Sequence, residues 1–175
     1  MKTFLRFLLK PLAFLPAILM IYIIFFFSQQ PGETSSGVSL KVSKTIVTTV
    51  DTLTDRHWDN GQIEHYTEQI HYYVRKAGHV TEYFILAITI ALPLYVVFGL
   101  RHIFLILISG ILCVALACGD EYHQTFISGR TGTPRDVLID SIGITAGIIF
   151  TEILCFVGRK TIFKPLEKKR KRCSY

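Results

Sequence analysis

Residues 76–98 read KAGHVTEYFILAITIALPLYVVF, and the character of this stretch changes after its first seven residues. Lys76, His79 and Glu82 lie in the polar start, whereas residues 83–98 carry no charged side chain. About 20 predominantly apolar residues cross a hydrocarbon layer about 30 Å thick. The stretch therefore predicts a membrane-spanning helix whose ionisable residues are gathered at one end.

Three further apolar segments, residues 12–27, 103–119 and 137–157, contain no lysine or arginine. Half of the 175 residues are hydrophobic and the mean hydropathy is +0.42, which excludes an ordinary soluble domain. No small-residue cleavage pattern follows the first segment, so we expect an uncleaved helix rather than a signal peptide. The sequence predicts an all-α, polytopic membrane protein with four transmembrane helices and an amphipathic extracytoplasmic helical segment.

Basic residues predict the orientation of these helices. They flank the first segment, occupy the short turn before the third and crowd the carboxyl end: Lys2, Arg6, Lys10, Arg101 and residues 159–172. By the positive-inside rule, we expect a multi-pass protein of the cell membrane with both termini in the cytoplasm. Residues 1–158 would form the membrane domain and residues 159–175 a basic tail. We expect the tail to contact anionic lipid headgroups rather than nucleic acid, because no nucleic-acid-binding fold accompanies it.

The longest connection, between the first and second segments, is predicted to carry the outer helical segment, about residues 38–82. Pro31, Gly32 and several serines predict a turn and loop over residues 28–39. Apolar residues then recur at helical spacing, namely Val38, Val42, Ile46, Val50 and Leu53, which indicates an amphipathic helix on the membrane or on the other helices. A second helix is expected to begin at Asp59, with Gln62 completing a capping box, and to run into the second span.

The third and fourth segments also have polar ends. The third runs into Asp120, Glu121, His123 and Gln124, and we expect Glu121 to point to water. The fourth is predicted to begin with Thr133 as N-cap, Pro134 at the first position and Asp136 closing a capping box. Asp140 lies one turn deeper, where a helix cap does not explain it. Gly143 and Gly147 form a small-xxx-small stripe that allows a neighbouring helix to approach closely.

The alternation of spans brings these polar ends to the same side of the membrane. Charged groups near hydrocarbon cost a few kcal/mol each unless they are paired or hydrated. Convergence of ionisable residues from three helices therefore predicts a site.

Three motifs in order carry a family resemblance: FSQQPG (27–32), KAGHVTEYFIL (76–86) and DEYHQTFISGR (120–130), the last followed by Asp136 and DSIG (140–143). Together they resemble the VanZ-like membrane proteins. The resemblance implies a small bacterial integral membrane protein that acts on lipid headgroups or lipid-linked cell-wall intermediates, and its namesake gives resistance to the glycopeptide teicoplanin. Carried over by motif, the site residues would be Arg75, His79, Glu82, Asp120, Glu121, Gln124, Arg130, Asp136 and Asp140.

Two chemistries and one structural alternative fit this set. In the first, Arg75, Lys76 and Arg130 hold a phosphate or another anionic headgroup, with Glu121, Gln124 and Asp136 as further binding residues. A general acid or base would then come from His79, Glu82, Asp120 or Asp140. The second chemistry is a metal site, formed by His79 and Glu82 together with Asp120, His123 or Asp140. We nevertheless expect no metal and no cofactor. Alternatively, the polar groups only form a hydrogen-bonded network that holds the helices together.

The expected partners are membrane lipids, including a lipid-linked cell-wall precursor. Whether chemistry occurs at the site is left open by the residues alone.

Overall fold

The computed structural model describes residues 10–159, which form helices and no strands. A short 3-10 helix, Lys10–Phe14, leads into α1 (Leu15–Ser28), followed by α2 (Gly32–Thr54), α3 (Asn60–Val96), α4 (His102–Gln124) and α5 (Pro134–Gly158). Within this range, α1 with its 3-10 lead, α3, α4 and α5 are long and apolar enough to cross a membrane. The predicted fold class is thus confirmed. Lys2, Arg6 and the predicted tail beyond residue 159 lie outside the described residues.

The third helix begins where the sequence predicted. Asp59 accepts a hydrogen bond from the Gln62 backbone N–H at 2.8 Å, and the Gln62 side chain accepts one from the Asp59 N–H at 3.1 Å. The helix then continues for 37 residues, past Pro93 to Val96. At 1.5 Å per residue, α3 is about 55 Å long, well beyond the thickness of the hydrocarbon layer. Its amino-terminal half carries His65, Tyr66, His71, Tyr72 and Tyr73, and the uninterrupted apolar run lies in its carboxyl-terminal part.

The loop predicted over residues 28–39 is wrong, because α2 begins at Gly32. The Gly32 N–H donates to the Ser128 carbonyl at 3.0 Å, so the start of α2 is anchored to the loop between α4 and α5. The serines that indicated a loop bond within the helix, as when the Ser39 hydroxyl donates to the Ser35 carbonyl. Gly32 is required here, since a Cβ atom would lie 2.0 Å from the Gly129 oxygen.

The second helix packs on α3 through a face different from its apolar stripe. Ser43 and Val47 are buried, whereas Val38, Val42 and Ile46 of the predicted stripe stay exposed. An exposed apolar stripe is typical of a helix that lies in a membrane interface.

The closest helix packing joins α3 and α5, as the glycine stripe predicted. A Cβ atom on Gly143 would lie 2.2 Å from the Val80 oxygen, and one on Gly147 would lie 2.5 Å from the Phe84 oxygen. The two backbones are thus in contact, and Ala87 of α3 is fully buried beside Gly147.

The start of α5 differs from the predicted capping box. Thr133 is the N-cap and accepts from the Asp136 N–H at 3.3 Å. The reciprocal bond, however, comes from another helix, because the Thr133 N–H donates to Glu121 of α4 at 2.9 Å. The Asp136 carboxylate instead pairs with Lys76 of α3. Both acids therefore connect helices rather than completing a local cap.

Candidate functional site

A cavity of about 300 Å³ lies where the end of α1, the start of α2, the middle of α3 and the end of α4 come together. Its polar wall contains charged and hydroxyl-bearing side chains, among them Ser28, Arg75, His79, Glu82, Asp120 and Arg130. Its apolar wall comes from α1, α2 and α3, through Ile24, Phe27, Val38, Val42 and Val74. The three sequence motifs thus contribute to a single concave site.

One face of α3 supplies three of the ionisable residues. Arg75, His79 and Glu82 follow one another at spacings of four and three, which places them along the same side of a helix. The His79 Nδ1 atom lies 3.8 Å from Glu82 Oε2. Arg75 contacts α2 weakly, with its Nη1 atom 3.4 Å from the Ser36 hydroxyl. Its guanidinium therefore retains donors for a ligand, since an arginine offers five N–H groups.

Asp120 is the deepest charged group in the wall and is 1% exposed. Its Oδ2 atom accepts from Gln124 Nε2 at 3.0 Å and faces the Tyr83 hydroxyl at 3.4 Å. Its Oδ1 atom has no hydrogen-bond partner within residues 10–159. A buried acceptor of this kind is costly unless something donates to it.

Arg130 connects the second half of the chain to the first. Its Nε atom donates to the Gln30 carbonyl at 2.9 Å and its Nη2 atom to the Phe27 carbonyl at 2.8 Å. These bonds satisfy the Gln30 carbonyl just beyond α1 and give a second donor to the Phe27 carbonyl, which also accepts from the Gln30 N–H at 3.3 Å. The side chain is 8% exposed and still lines the cavity. Arg130 therefore has a structural role in addition to any role in binding.

Five predicted site residues lie outside the cavity wall: Lys76, Glu121, Gln124, Asp136 and Asp140. Lys76 and Asp136 form an ion pair between α3 and α5. Glu121 is 5% exposed and bonded to the Thr133 backbone, so the expectation that it points to water is wrong. Asp140 is 1% exposed, and neither of its carboxylate oxygens has a hydrogen-bond partner within the described residues.

Gln124 is also outside the wall and acts through Asp120, which it orients. Within residues 10–159, no group of three or more histidine, cysteine, aspartate or glutamate side chains is arranged to hold a metal ion. His123, a ligand in the metal alternative, instead packs edge-on against Phe25, with ring centroids 6.0 Å apart.

Sequence reasoning missed the apolar half of the cavity and Ser28. Ile24 and Phe27 were part of an apolar span, and Val38 and Val42 part of an amphipathic stripe, so neither pattern distinguished cavity-lining residues from lipid-facing ones. The FSQQPG motif was the available signal, because it includes Phe27 and Ser28 and is the segment that Arg130 holds.

Four helices that are long and apolar enough to cross a membrane, with a cavity between the ends of α1 and α4, fit a multi-pass membrane protein. The family model described as VanZ/LLP1 matches residues 13–155, which is most of the chain. The chain belongs to this family, and the predicted resemblance is confirmed. Comparisons with curated proteins and with solved structures gave no match.

Proposed function

We propose that the cavity binds the anionic headgroup of a membrane lipid or a lipid-linked cell-envelope intermediate in the outer leaflet. The observation that carries this proposal is the presence of two guanidinium groups, Arg75 and Arg130, in the wall of one cavity that also has an apolar side. Arginine suits this task because its planar fork of donors matches phosphate and carboxylate oxygens.

The cavity wall holds two carboxylates, Glu82 and Asp120, beside its two arginines, and Arg130 is the more buried of the arginines. Burial, together with the neighbouring Arg75, lowers the pKa of the Arg130 guanidinium from its ordinary value. An arginine nevertheless stays charged in proteins. The lowered pKa reflects a positive charge that burial has partly desolvated, although the carboxylates of Asp120, Glu82 and Glu121 oppose this lowering. A bound phosphate would add to their stabilising effect.

The apolar wall supports a lipid rather than a soluble anion. Phe27, Val38 and Val42 line the cavity but remain 46%, 60% and 45% exposed, so the cavity opens past them. A hydrocarbon chain leaving the cavity would contact these side chains. Ligand pockets usually measure about 300–1,000 Å³, so a cavity at the small end of this range accommodates a headgroup while the chains stay in the bilayer.

The proposed side of the membrane follows from charge and span number. Arg101 lies in the turn opposite the cavity, and four spans return the chain to the side where it began. With both termini in the cytoplasm, the cavity faces the outer leaflet of the cell membrane. The VanZ family is linked to glycopeptide resistance, and binding or changing an envelope lipid is a route by which this chain would give such a phenotype.

The proposal is tested by measuring the lipids that co-purify with the full chain. Arg75→Ala should lower the retained anionic lipid about tenfold, since a hydrogen bond to a charged group contributes about 1.5–3 kcal/mol. Lys44→Ala is the matched control, because it removes a positive charge from an exposed position on α2 outside the cavity wall. Mass spectrometry of extracted lipid gives the readout, and equal retention by both variants would contradict the proposal.

A second candidate is chemical modification of the bound lipid. His79 and Glu82 are adjacent in the wall, and Asp120 lines the same cavity, so a general acid and base are within reach of a ligand. Time-dependent conversion of the retained lipid by the wild type, and its loss in His79→Gln with binding intact, would favour an enzyme. Retention without conversion would favour a binding protein.

The structural alternative is that the polar groups only hold the helices together. The bonds from Arg130 to the end of α1, and those of Gln124 and Tyr83 to Asp120, fit this reading. Under it, the wild type and Arg75→Ala would retain the same lipids. The co-purification experiment therefore separates the two.

A further inference from the structure

Two buried polar groups in the cavity wall lack partners, and together they specify the chemistry of the headgroup. Ser28 and Asp120 both line the cavity, and they are 3% and 1% exposed. Within residues 10–159, neither the Ser28 hydroxyl oxygen nor Asp120 Oδ1 has a hydrogen-bond partner. Native proteins rarely leave such groups unpaired, so a ligand that pairs with both is favoured.

We infer that the headgroup is a phosphate ester of a polyol, in which at least one free hydroxyl neighbours the phosphate, as in a glycerol or sugar phosphate. This inference rests on the proposed function and narrows it. The phosphate contacts Arg75 and Arg130, while the hydroxyls reach Ser28 and Asp120.

The two unpaired groups have complementary requirements. An ionised Asp120 oxygen only accepts hydrogen bonds, whereas the Ser28 hydroxyl both donates and accepts. Ser28 is the last residue of α1, and its hydroxyl does not bond back to the preceding helical turn as those of Ser39, Ser43 and Ser109 do. The Ser28 proton is therefore available to the cavity.

A polyol satisfies both groups through its hydroxyls alone, without drawing on the phosphate that the arginines hold. A hydroxyl donates to Asp120 Oδ1, and its oxygen, or that of the neighbouring hydroxyl, accepts from Ser28. A primary ammonium could donate to Asp120 and to the Ser28 oxygen, but the Ser28 proton would then need a phosphate oxygen that the arginines already bind; a trimethylammonium group offers no N–H donor to Asp120. A bare phosphate monoester would bring a second negative charge towards the buried carboxylate.

The test is competition among lipids that share the same acyl chains and differ in headgroup. Full-length protein in detergent is mixed with equal amounts of phosphatidylglycerol, phosphatidylethanolamine and phosphatidic acid, and bound lipid is counted by native mass spectrometry. Phosphatidylglycerol should be preferred about tenfold over each of the others, the factor that one well-formed hydrogen bond contributes. Ser28→Ala should reduce this preference while total binding of phosphate-bearing lipid persists.

Ser109→Ala is the matched control, since it removes a buried hydroxyl from α4 outside the cavity wall. It should leave the preference unchanged. Asp120→Asn provides a second variant, because an amide can present a donor where the carboxylate presented an acceptor, and it should abolish the preference.

The outcomes distinguish this inference from the proposal on which it rests. Equal binding of the three lipids, still dependent on Arg75, overturns the polyol assignment and leaves the anion-binding function intact. Preference for phosphatidylethanolamine overturns it in favour of an ammonium group at Asp120. Binding that is the same in the wild type and Arg75→Ala overturns both.

Discussion

Three acidic residues lie close together in sequence or on neighbouring helices, but each makes a different kind of contact. Asp120 lines the cavity, Glu121 bonds to the backbone at the start of α5, and Asp136 pairs with Lys76. One residue of rotation along α4, about 100° for a helix of 3.6 residues per turn, separates the first two. A single step in sequence therefore separates a cavity-lining carboxylate from one that connects two helices.

Glu121 gives the prediction at this scale. Glu121→Ala leaves the Thr133 N–H without its partner at a partly buried helix start, and we expect the unfolding free energy to fall by about 1 kcal/mol. The measurement is detergent-phase unfolding followed by circular dichroism. Glu68→Ala, at an exposed position on α3, should change the free energy by less than about 0.5 kcal/mol. Equal effects from the two changes would show that the bond to Thr133 contributes nothing.

At the scale of elements, the contact between α3 and α5 determines where the site residues lie. The helix that carries Arg75, His79 and Glu82 is the one against which Gly143 and Gly147 pack. Moving α5 away would also displace Asp136 from Lys76. The glycines of α5 therefore support a cavity that they do not line.

Gly143→Ala tests this dependence. The added methyl would lie 2.2 Å from the Val80 carbonyl oxygen, a backbone atom that cannot move aside without separating the helices. We expect a loss of about 1–3 kcal/mol, typical of overpacking, together with loss of retained lipid. Gly119→Ala on α4 is the control, since nothing lies within 4 Å of its added Cβ. The greater helix propensity of alanine should make it neutral or stabilising by up to about 1 kcal/mol.

The sequence predicted these elements well where they depend on short-range interactions or on the surrounding solvent. Long apolar runs, the Asp59 cap and the glycine stripe depend on near neighbours or on the solvent, and the structure reproduces them. The start of α2 was missed because its serines favour loops in isolation, while the bond that anchors Gly32 comes from Ser128. Tertiary contacts of this kind leave no periodic pattern.

The candidate site was only partly predicted, again because some of its contacts depend on the tertiary structure. Ionisable residues at helix ends are visible as exceptions in apolar segments, and the structure brings Arg75, His79, Glu82 and Asp120 into one wall. Whether an acid faces the cavity or a backbone amide depends on helix rotation, which decided the positions of Glu121 and Asp136. The apolar wall residues and Ser28 do not stand out from the sequence around them, so they were not predicted.

Across the whole molecule, the polar and basic ends are separated by the thickness of the bundle. The cavity lies at the end where α1 and α4 finish, and Arg101 and the bond between the His102 N–H and Glu152 lie at the other. Under the proposed function, a lipid headgroup would reach the cavity from one leaflet only. The side of the membrane on which the cavity opens therefore decides which lipids are available to it.

Cysteine labelling in intact cells tests that side. In a background with the native cysteines replaced, Glu64→Cys at an exposed position on the outer half of α3 should react with a membrane-impermeant maleimide. Arg101→Cys, exposed in the turn between α3 and α4, should react only after the cells are permeabilised. The physical reason is the concentration of basic residues at the Arg101 end, which the positive-inside rule places in the cytoplasm. The reverse pattern would put the cavity on the cytoplasmic leaflet, where it could still bind a phosphate-bearing lipid but could not act on an envelope intermediate after its transfer to the outer surface.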